Sequence, residues 1–352
     1  MFSFYLNLIH ILCSSKKLIM AYQSPHLFFT FLLCSLAHSS CTKEDQHPIL
    51  KFSQNLMGTD VHILVNAKEG KDLDKAIDAT FLEGNRLNMI FSDYEAESEV
   101  SRFSKTSGTG KPFKLSPELF DVLSYSQDLS NKTSGAFDVT IGPLSRLWRM
   151  ARFQKKLPPK QKLSKAISRM GYTNLTLNKL DRSGSLKLEG MVLDLGGIAK
   201  GYIADRMLEK MKSFGFSRCL IDAGGDLTLG EAPQNRKGWR IEIGGRKHPE
   251  LPILELSNCA VATSGDLEQF LQIEEKFYSH IIDPFTGFGL LERAQVTVVS
   301  QNGMLADSLA SACLALGFEK ASNLSRQSEI DSFYYLQKAD TGTTLKAQTN
   351  KK

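Results

Sequence analysis

Short strand-like runs fill the second half of this chain, and single helical segments separate them. The runs are rich in β-branched and apolar residues, which is typical of strands, and they cover residues 191–195, 218–222, 239–243, 259–263, 278–282 and 295–300. Segments 198–214 and 304–316 carry apolar residues at helical spacing, as do the earlier segments 73–91 and 117–130. Isolated helices among many strands predict an α+β fold with mostly antiparallel sheets and flanking helices.

The charge of the chain argues against a nucleic-acid partner. Lys and Arg exceed Asp and Glu by only five in 352 residues, and Lys16 and Lys17 lie in a stretch of 40 residues without any acid. Nucleic-acid-binding proteins usually carry a larger and clustered positive patch. The basic, proline-containing segment 151–165 predicts a solvated surface connection instead.

The N-terminal region predicts export. An apolar run of eleven residues, 27–37, would span about 16 Å as a helix, which is too short to cross a hydrocarbon core of about 30 Å but typical of a signal peptide. Small residues before Cys41 favour lipid attachment there, although His38 occupies the position where a lipobox prefers Leu. We therefore expect residues 1–40 to be a signal peptide and the protein to lie at the periplasmic side of the cell inner membrane, with an uncleaved anchor as the alternative.

Two glycine pairs follow predicted strands and are flanked by charged residues. Residues 194–201 place Asp194 before a Gly-Gly turn and Lys200 one turn into a helix, a pattern that can bind an anion or a phosphate. Residues 222–226 place Asp222 and Asp226 around a second Gly-Gly pair. Each pattern taken alone also fits a simple tight turn, in which the carboxylates bind local backbone.

Two further segments carry side chains suited to acid-base or metal chemistry. His280 lies in the predicted strand 278–282, where its imidazole could accept a proton from a reacting hydroxyl, and Asp283 opens the turn after that strand. Asp307 and Ser311 are four residues apart in a predicted helix, so both oxygens share one face and suit Mg²⁺. A hydrogen-bonded strand histidine and a polar helix surface are the alternatives.

In their order and wording these segments resemble the ApbE family of flavin transferases. The resemblance runs from about residue 56 to residue 317. It rests on MGT (57–59), FSDYEAESEVSRFS (91–104), TSGAFDVTIGPLSRLW (133–148), DLGGIAKGYIAD (194–205), DAGGD (222–226), ATSGD (262–266), HIIDPFTG (280–287) and VTVVSQNGMLADSLASACLALG (296–317). It implies a single T-fold-like catalytic domain over residues 50–335, and we expect a flexible polar tail over 336–352.

The resemblance also implies roles for individual residues. Mg²⁺ would be held by the Asp307 carboxylate, the Ser311 hydroxyl and the backbone carbonyl of Gly197. The family usually has Thr where Ser311 stands and often Ala or Thr where Gly197 stands; both changes keep the oxygen ligand. His280 and Asp307 would be catalytic. FAD contacts would come from Met57, Tyr94, Ala136, Phe137, Asp138, Asp194, Lys200, His280 and Ile281.

The implied reaction is Mg²⁺-dependent transfer of FMN from FAD to a Thr or Ser hydroxyl of a client flavoprotein, with release of AMP. The implied clients are flavoprotein subunits such as those of the Na⁺-translocating NADH:quinone oxidoreductase, which a lipid-anchored enzyme would meet at the membrane. Two alternatives use the same pocket. One is a non-catalytic FAD-binding lipoprotein, and the other is a Mg²⁺-dependent FAD pyrophosphatase, in which Tyr94 would influence the outcome by covering the flavin.

Overall fold

The computed structural model describes residues 47–243, 251–265, 270–339 and 342–350 of the chain. The predicted signal segment 1–40 and Cys41 lie outside these residues. The strands are β1 (Ile49–Leu56), β2 (Thr59–Asn66), β3 (Phe113–Lys114), β4 (Leu175–Asn178), β5 (Ser183–Leu186), β6 (Cys219–Ala223), β7 (Asp226–Leu229), β8 (Trp239–Glu242), β9 (Ile253–Leu256), β10 (Cys259–Gly265), β11 (Phe270–Ile273), β12 (Lys276–Ser279), β13 (Ala294–Ser300), β14 (Ile330–Ala339) and β15 (Gly342–Thr349).

The helices agree with the sequence prediction at all four predicted positions. They are α1 (Lys71–Phe91), α2 (Glu99–Lys105), α3 (Pro117–Lys132), α4 (Gly142–Gln154), α5 (Lys160–Ile167), α6 (Ala199–Ser213) and α7 (Gly303–Gln327). The Ser116 hydroxyl caps α3 by accepting a hydrogen bond from the backbone N–H of Leu119 at 3.2 Å. Helix α7 is longer than predicted because it continues beyond a kink at Gly317, whose φ is 72°.

One large antiparallel sheet organises the described part of the chain. Its eight strands follow the order β1-β2-β6-β7-β10-β13-β14-β15, and each neighbouring pair is antiparallel. Smaller antiparallel sheets are formed by β3-β5-β4, by β8-β9 and by β11-β12. The predicted α+β class with mostly antiparallel sheets is therefore confirmed.

Apolar residues from both faces of the sheet build the core. On β2, Val61, Ile63 and Val65 point to one face and are fully buried, as the two-residue period of a strand requires. Helix α6 contacts both α1 and α7, and the three helices cover this face. A smaller cluster on the opposite face includes Leu220 of β6 and Trp239 of β8, so the middle of the sheet is buried on both sides.

The basic segment 151–165 is mostly helical, which corrects the prediction of a surface connection. Only residues 155–159 connect α4 to α5. Ala151 and Leu163 are buried beside Trp148, against the β11-β12 hairpin, so the apolar positions of the segment form a core while its Lys residues are exposed. The indole N–H of Trp148 donates a hydrogen bond to the carbonyl of Gly287 at 2.7 Å, which ties this cluster to the turn after His280.

Two other expectations are wrong. Residues 191–195 form no ladder; they run extended through the core, and Val192 makes a single parallel bridge to Ile141. The predicted flexible tail is strand over most of its length, because β14 and β15 pair along residues 332–349. Leu336 is only 2% exposed and belongs to the smaller core cluster, whereas the polar residues of β15 lie at the edge of the sheet.

Within the described residues, no helix is sufficiently long and apolar to cross a membrane.

Candidate functional site

A cleft of about 640 Å³ brings the predicted site residues together. It is lined by the loop before α4, the start of α6, the end of β10, the loop after β12 and one face of α7. Segments that are more than 150 residues apart in the sequence therefore meet in one place. The predicted residues that line it are Ala136, Phe137, Asp138, Asp194, Gly197, Lys200, His280, Ile281, Asp307 and Ser311.

A close crossing of α6 and α7 forms the charged floor of the cleft. Gly201 and Gly303 lie backbone to backbone, since a β-carbon on either glycine would clash with the carbonyl oxygen of the other. This approach lets the backbone N–H of Gly201 donate to Asp307 Oδ2 at 3.1 Å. Lys200 Nζ lies 3.8 Å from Asp307 Oδ1 and forms an ion pair with Asp226.

Burial and neighbouring charges shift the pKa values of this cluster. Burial raises the pKa of Asp307 to about 7, although Lys200 opposes the shift. Burial disfavours the charged form of Lys200, but the carboxylates of Asp226 and Asp307 outweigh that effect and raise its pKa above its usual value. Lys200 is therefore a fixed positive charge at the cleft, whereas burial favours the protonated form of Asp307.

Asp307, Ser311 and Gly197 provide oxygen atoms within a small region. The Ser311 hydroxyl lies 3.0 Å from the hydroxyl of Ser264, and a β-carbon on Gly197 would lie 2.9 Å from Ser311 Oγ. Within the described ranges, no group of three or more His, Cys, Asp or Glu side chains could hold a metal ion by itself. A cation bound here would thus depend on one carboxylate together with hydroxyl and carbonyl oxygens, a donor set that fits Mg²⁺.

The two Gly-Gly turns differ in what their carboxylates do. Asp222 Oδ1 accepts from the backbone N–H of Gly225 at 2.8 Å, so Asp222 stabilises its own turn, as the simple alternative predicts. Asp226 instead pairs with Lys200 and accepts from the backbone N–H of Thr263 at 3.2 Å. Asp226 is therefore part of the charged floor, a role that the local sequence pattern did not reveal.

Asp194 belongs to an ion-pair network that the sequence analysis missed. Arg149 donates from Nη2 to Asp194 Oδ2 at 3.0 Å and from Nη1 to Asp93 Oδ2 at 2.6 Å. Arg149 also lies over the ring of Tyr94, with 4.1 Å from its guanidinium carbon to the ring centroid. Ser145, Arg149 and Arg152 all line the cleft, and their spacing of four and three residues along α4 is the one local signal for this face.

Asp138 lines the cleft with its carboxylate already engaged by the protein. Its Oδ1 accepts from the N–H and the hydroxyl of Thr140 at 2.8 and 2.7 Å, and its Oδ2 accepts from the N–H of Tyr172 at 2.9 Å. Burial raises the pKa of Asp138 against these hydrogen bonds. The carboxylate thus holds the loop that presents Ala136 and Phe137 to the cleft.

His280 lies at the cleft directly after β12, on a segment that a tight turn stabilises. Asp283 Oδ1 accepts from the N–H of Phe285 at 2.9 Å, and its Oδ2 accepts from the Thr286 hydroxyl at 2.8 Å. Asp283 is therefore the turn residue that the sequence predicted. His280 and Ile281 line the same cleft as Lys200.

Met57 and Tyr94 are not among the residues that line the cleft. Met57 and Gly58 both have positive φ, 57° and 72°, and form the two-residue turn between β1 and β2. That turn contacts the cleft through Thr59, which lies against Gly224. Tyr94 is 75% exposed and reaches the cleft through its contact with Arg149.

Comparison with known proteins shows similarity to one family along most of the chain. A sequence model of the ApbE family matches residues 57–334. A FAD:protein FMN transferase of Haemophilus influenzae is 28% identical over 331 residues, which cover 90% of this chain and 93% of the relative. Another, of Chlamydia muridarum, is 33% identical over 69% of this chain and 75% of its own length.

A solved structure shows the same similarity. A variant of the flavin transferase ApbE from Vibrio cholerae superposes with a TM-score of 0.77 at 29% identity. The superposition covers 86% of this chain and 97% of that one. The antiparallel architecture described above is therefore shared with that flavin transferase along nearly its whole length.

Proposed function

This chain belongs to the ApbE family, and from that premise we propose that it transfers FMN from FAD to a Thr or Ser hydroxyl of a client protein. Relatives along most of its length are named FAD:protein FMN transferases. The observation that carries the proposal is the single cleft in which Lys200, His280, Asp307 and Ser311 meet. These residues supply a fixed cation, a proton acceptor and oxygen ligands.

The proposed reaction exchanges the phosphoanhydride bond of FAD for a phosphoester bond to the client. The client hydroxyl oxygen forms a bond to the FMN-side phosphorus of FAD, the bond from that phosphorus to the bridging oxygen breaks, and AMP leaves. His280 accepts the hydroxyl proton, a contribution of about 10²–10⁴ in rate. FMN remains attached to the client through a phosphodiester.

Lys200 and the start of α6 bind and orient the anionic phosphates. Gly196 and Gly197, which precede α6, and Lys200, its second residue, line the cleft, so the positive end of the helix and the Lys200 charge lie beside it. Asp307, Ser311 and the Gly197 carbonyl would hold Mg²⁺. When bound, that ion neutralises charge on the phosphate oxygens. The Lys200–Asp226 pair keeps the ammonium in place beside the phosphates.

The proposed setting follows from the N-terminal sequence and the family. We propose that the protein is exported and lipid-anchored at Cys41, at the periplasmic side of the cell inner membrane. Its proposed clients are flavoprotein subunits such as those of the Na⁺-translocating NADH:quinone oxidoreductase. A membrane-anchored transferase would be confined near membrane-associated clients, which raises their effective concentration.

One incubation tests the proposed reaction. The purified protein is mixed with FAD, Mg²⁺ and a client domain that carries an acceptor Thr, and the products are separated under denaturing conditions. Flavin that stays bound to the client, with one AMP per flavin, supports the proposal. Free FMN and AMP without labelled client would identify a FAD pyrophosphatase instead. If FAD stays unchanged, the result would favour the alternative of a non-catalytic FAD-binding protein.

A further inference from the structure

Arg149 connects three separate parts of the chain at one end of the cleft. It lies on α4, Asp93 lies just beyond the end of α1, and Asp194 precedes the turn into α6. We propose that Arg149 is a positioning residue that holds Asp194 and Tyr94 in the arrangement that binds FAD. The proposal rests on the proposed function, because it identifies FAD as the ligand of this cleft.

The hydrogen-bond geometry uses most of the guanidinium group. Nη1 and Nη2 of Arg149 donate to the two carboxylate oxygens of Asp93 at 2.6 and 3.2 Å, and Nη2 also donates to Asp194 Oδ2 at 3.0 Å. The side chains of Arg149, Asp93 and Asp194 are only 24%, 7% and 13% exposed. A forked pair of this kind is directional, and its partial burial protects it from solvent screening.

The ring of Tyr94 rests on the same guanidinium group. The distance of 4.1 Å from the Arg149 guanidinium carbon to the ring centroid is typical of a cation–π contact. Tyr94 is 75% exposed, so this contact is what fixes an otherwise open side chain. Arg149 thus determines where the Tyr94 ring lies relative to the cleft.

The charge of Arg149 also keeps two acids compatible with an anionic ligand. Asp93 and Asp194 both bind Arg149, and the charge of Asp194 adds to burial in raising the pKa of Asp93. Without Arg149 the charges of the two carboxylates would be uncompensated, and Asp194 lines the cleft in which the anionic phosphates of FAD would bind. Loss of Arg149 should therefore weaken FAD binding through both position and charge.

The test measures FAD binding directly, by quenching of flavin fluorescence, and transfer to a client domain separately. We expect Arg149→Ala to raise the Kd for FAD roughly tenfold or more and to raise KM more than it lowers kcat. Arg149→Lys keeps the charge but not the fork, so we expect an intermediate Kd. Arg236→Ala removes the same charge from an exposed position outside the cleft, and we expect an unchanged Kd.

A double-mutant cycle decides whether Arg149 acts through Tyr94. If it does, Tyr94→Ala and Arg149→Ala will weaken FAD binding by less in combination than the product of their separate effects. Wild-type FAD binding in Arg149→Ala, or fully independent effects in the cycle, would overturn the proposal. If Arg149→Ala fails to fold, Arg149→Lys provides the same comparison. A wild-type protein that binds FAD but labels no client would contradict the proposed function and leave the role of Arg149 in binding intact.

Discussion

Gly201 of α6 and Gly303 of α7 contact each other through their backbones, at the point where the two helices cross. The crossing brings Lys200, one residue before Gly201, to 3.8 Å from Asp307, four residues after Gly303. It also lets Gly201 donate its backbone N–H to the Asp307 carboxylate. The geometry of the charged floor thus depends on the small size of two glycines.

Gly201→Ala should therefore disrupt the fold as well as the site. The added methyl group would clash with the Gly303 carbonyl, and helix backbones have little freedom to move apart. We expect the free energy of unfolding to fall by at least about 2 kcal/mol, as measured by denaturant titration. Gly70→Ala is a suitable control, because a β-carbon on Gly70 meets nothing within 4 Å, and its cost should stay below about 1 kcal/mol.

Asp205→Asn should change how stability depends on pH. Asp205 Oδ1 accepts from the N–H of Gly303 at 2.6 Å and its Oδ2 accepts from the N–H of Met304 at 2.9 Å; burial nevertheless raises its pKa to about 6. Between about pH 4 and 6 the Asp205 carboxyl is therefore protonated in the folded state, whereas it has lost its proton in the unfolded state. The stability that this proton contributes, about 3 kcal/mol, is present below pH 4 and is lost as pH rises through 6.

The measurement compares unfolding free energies of wild type and Asp205→Asn at several pH values. The advantage of wild type over the variant should decrease as pH rises from 4 to 7, because the variant lacks the titrating group. Asp72→Asn serves as control, since the Asp72 side chain is 92% exposed. A difference between wild type and Asp205→Asn that is constant from pH 4 to 7 would contradict this account.

Asp307→Ala should abolish most of the proposed transfer and raise the Mg²⁺ concentration that transfer requires. The carboxylate is only 3% exposed, beside Ser311 one turn later on α7, so its loss removes the single charged ligand of the proposed ion. We expect the rate to fall at least about a hundredfold, with partial recovery at higher Mg²⁺. Client labelling is measured across a Mg²⁺ titration.

Asp307→Asn is the matched control for folding in that experiment. Its amide oxygen can still accept from the N–H of Gly201, and Lys200 keeps its ion pair with Asp226, so we expect the variant to fold. Its transfer rate should nevertheless be low. Full activity of Asp307→Asn at the Mg²⁺ concentration that wild type needs would show that the carboxylate does not bind the ion.

His280→Ala should slow transfer without weakening FAD binding to the same extent. Its imidazole is the proposed acceptor of the hydroxyl proton, so kcat should fall about 10²- to 10⁴-fold. The turn behind it is held by Asp283, which the substitution leaves in place. FAD binding, by flavin fluorescence, and client labelling are measured on the same preparation. An undiminished transfer rate would show that a group other than His280 accepts the proton of the client hydroxyl.

Local sequence patterns predicted α1 and α6 closely because their apolar faces pack into the core, but they missed the part of α7 beyond Gly317. Residues 71–91 and 199–213 match the predicted helices within two residues at each end. The same patterns failed for residues 191–195, since a short buried apolar run looks like a strand whether or not a partner strand lies beside it. For the C-terminal segment, polar composition indicated a tail, whereas β15 is a polar strand that pairs with β14.

The sequence predicted the cleft residues that belong to motifs. It did not predict the residues that join the site only through contacts between distant parts of the chain. The motif residues Lys200, Asp307 and Ser311 line one cleft as a group. Arg149 lies 56 residues from Asp93 and 45 from Asp194 in sequence, and no local spacing relates these three side chains. The pairing of Lys200 with Asp226 likewise depends on the α6 and β7 positions in the folded sheet.

The positions of β1 and β15 limit how this chain can be rearranged. They are the two edges of the eight-stranded sheet formed by the described residues, so seven strand spacings separate them, roughly 34 Å. A circular permutant that joins residue 350 to residue 47 would need a linker of about ten residues or more to cross that width. A reporter domain fused after β15 would instead lie at the β15 edge of the sheet, opposite to the β1 edge.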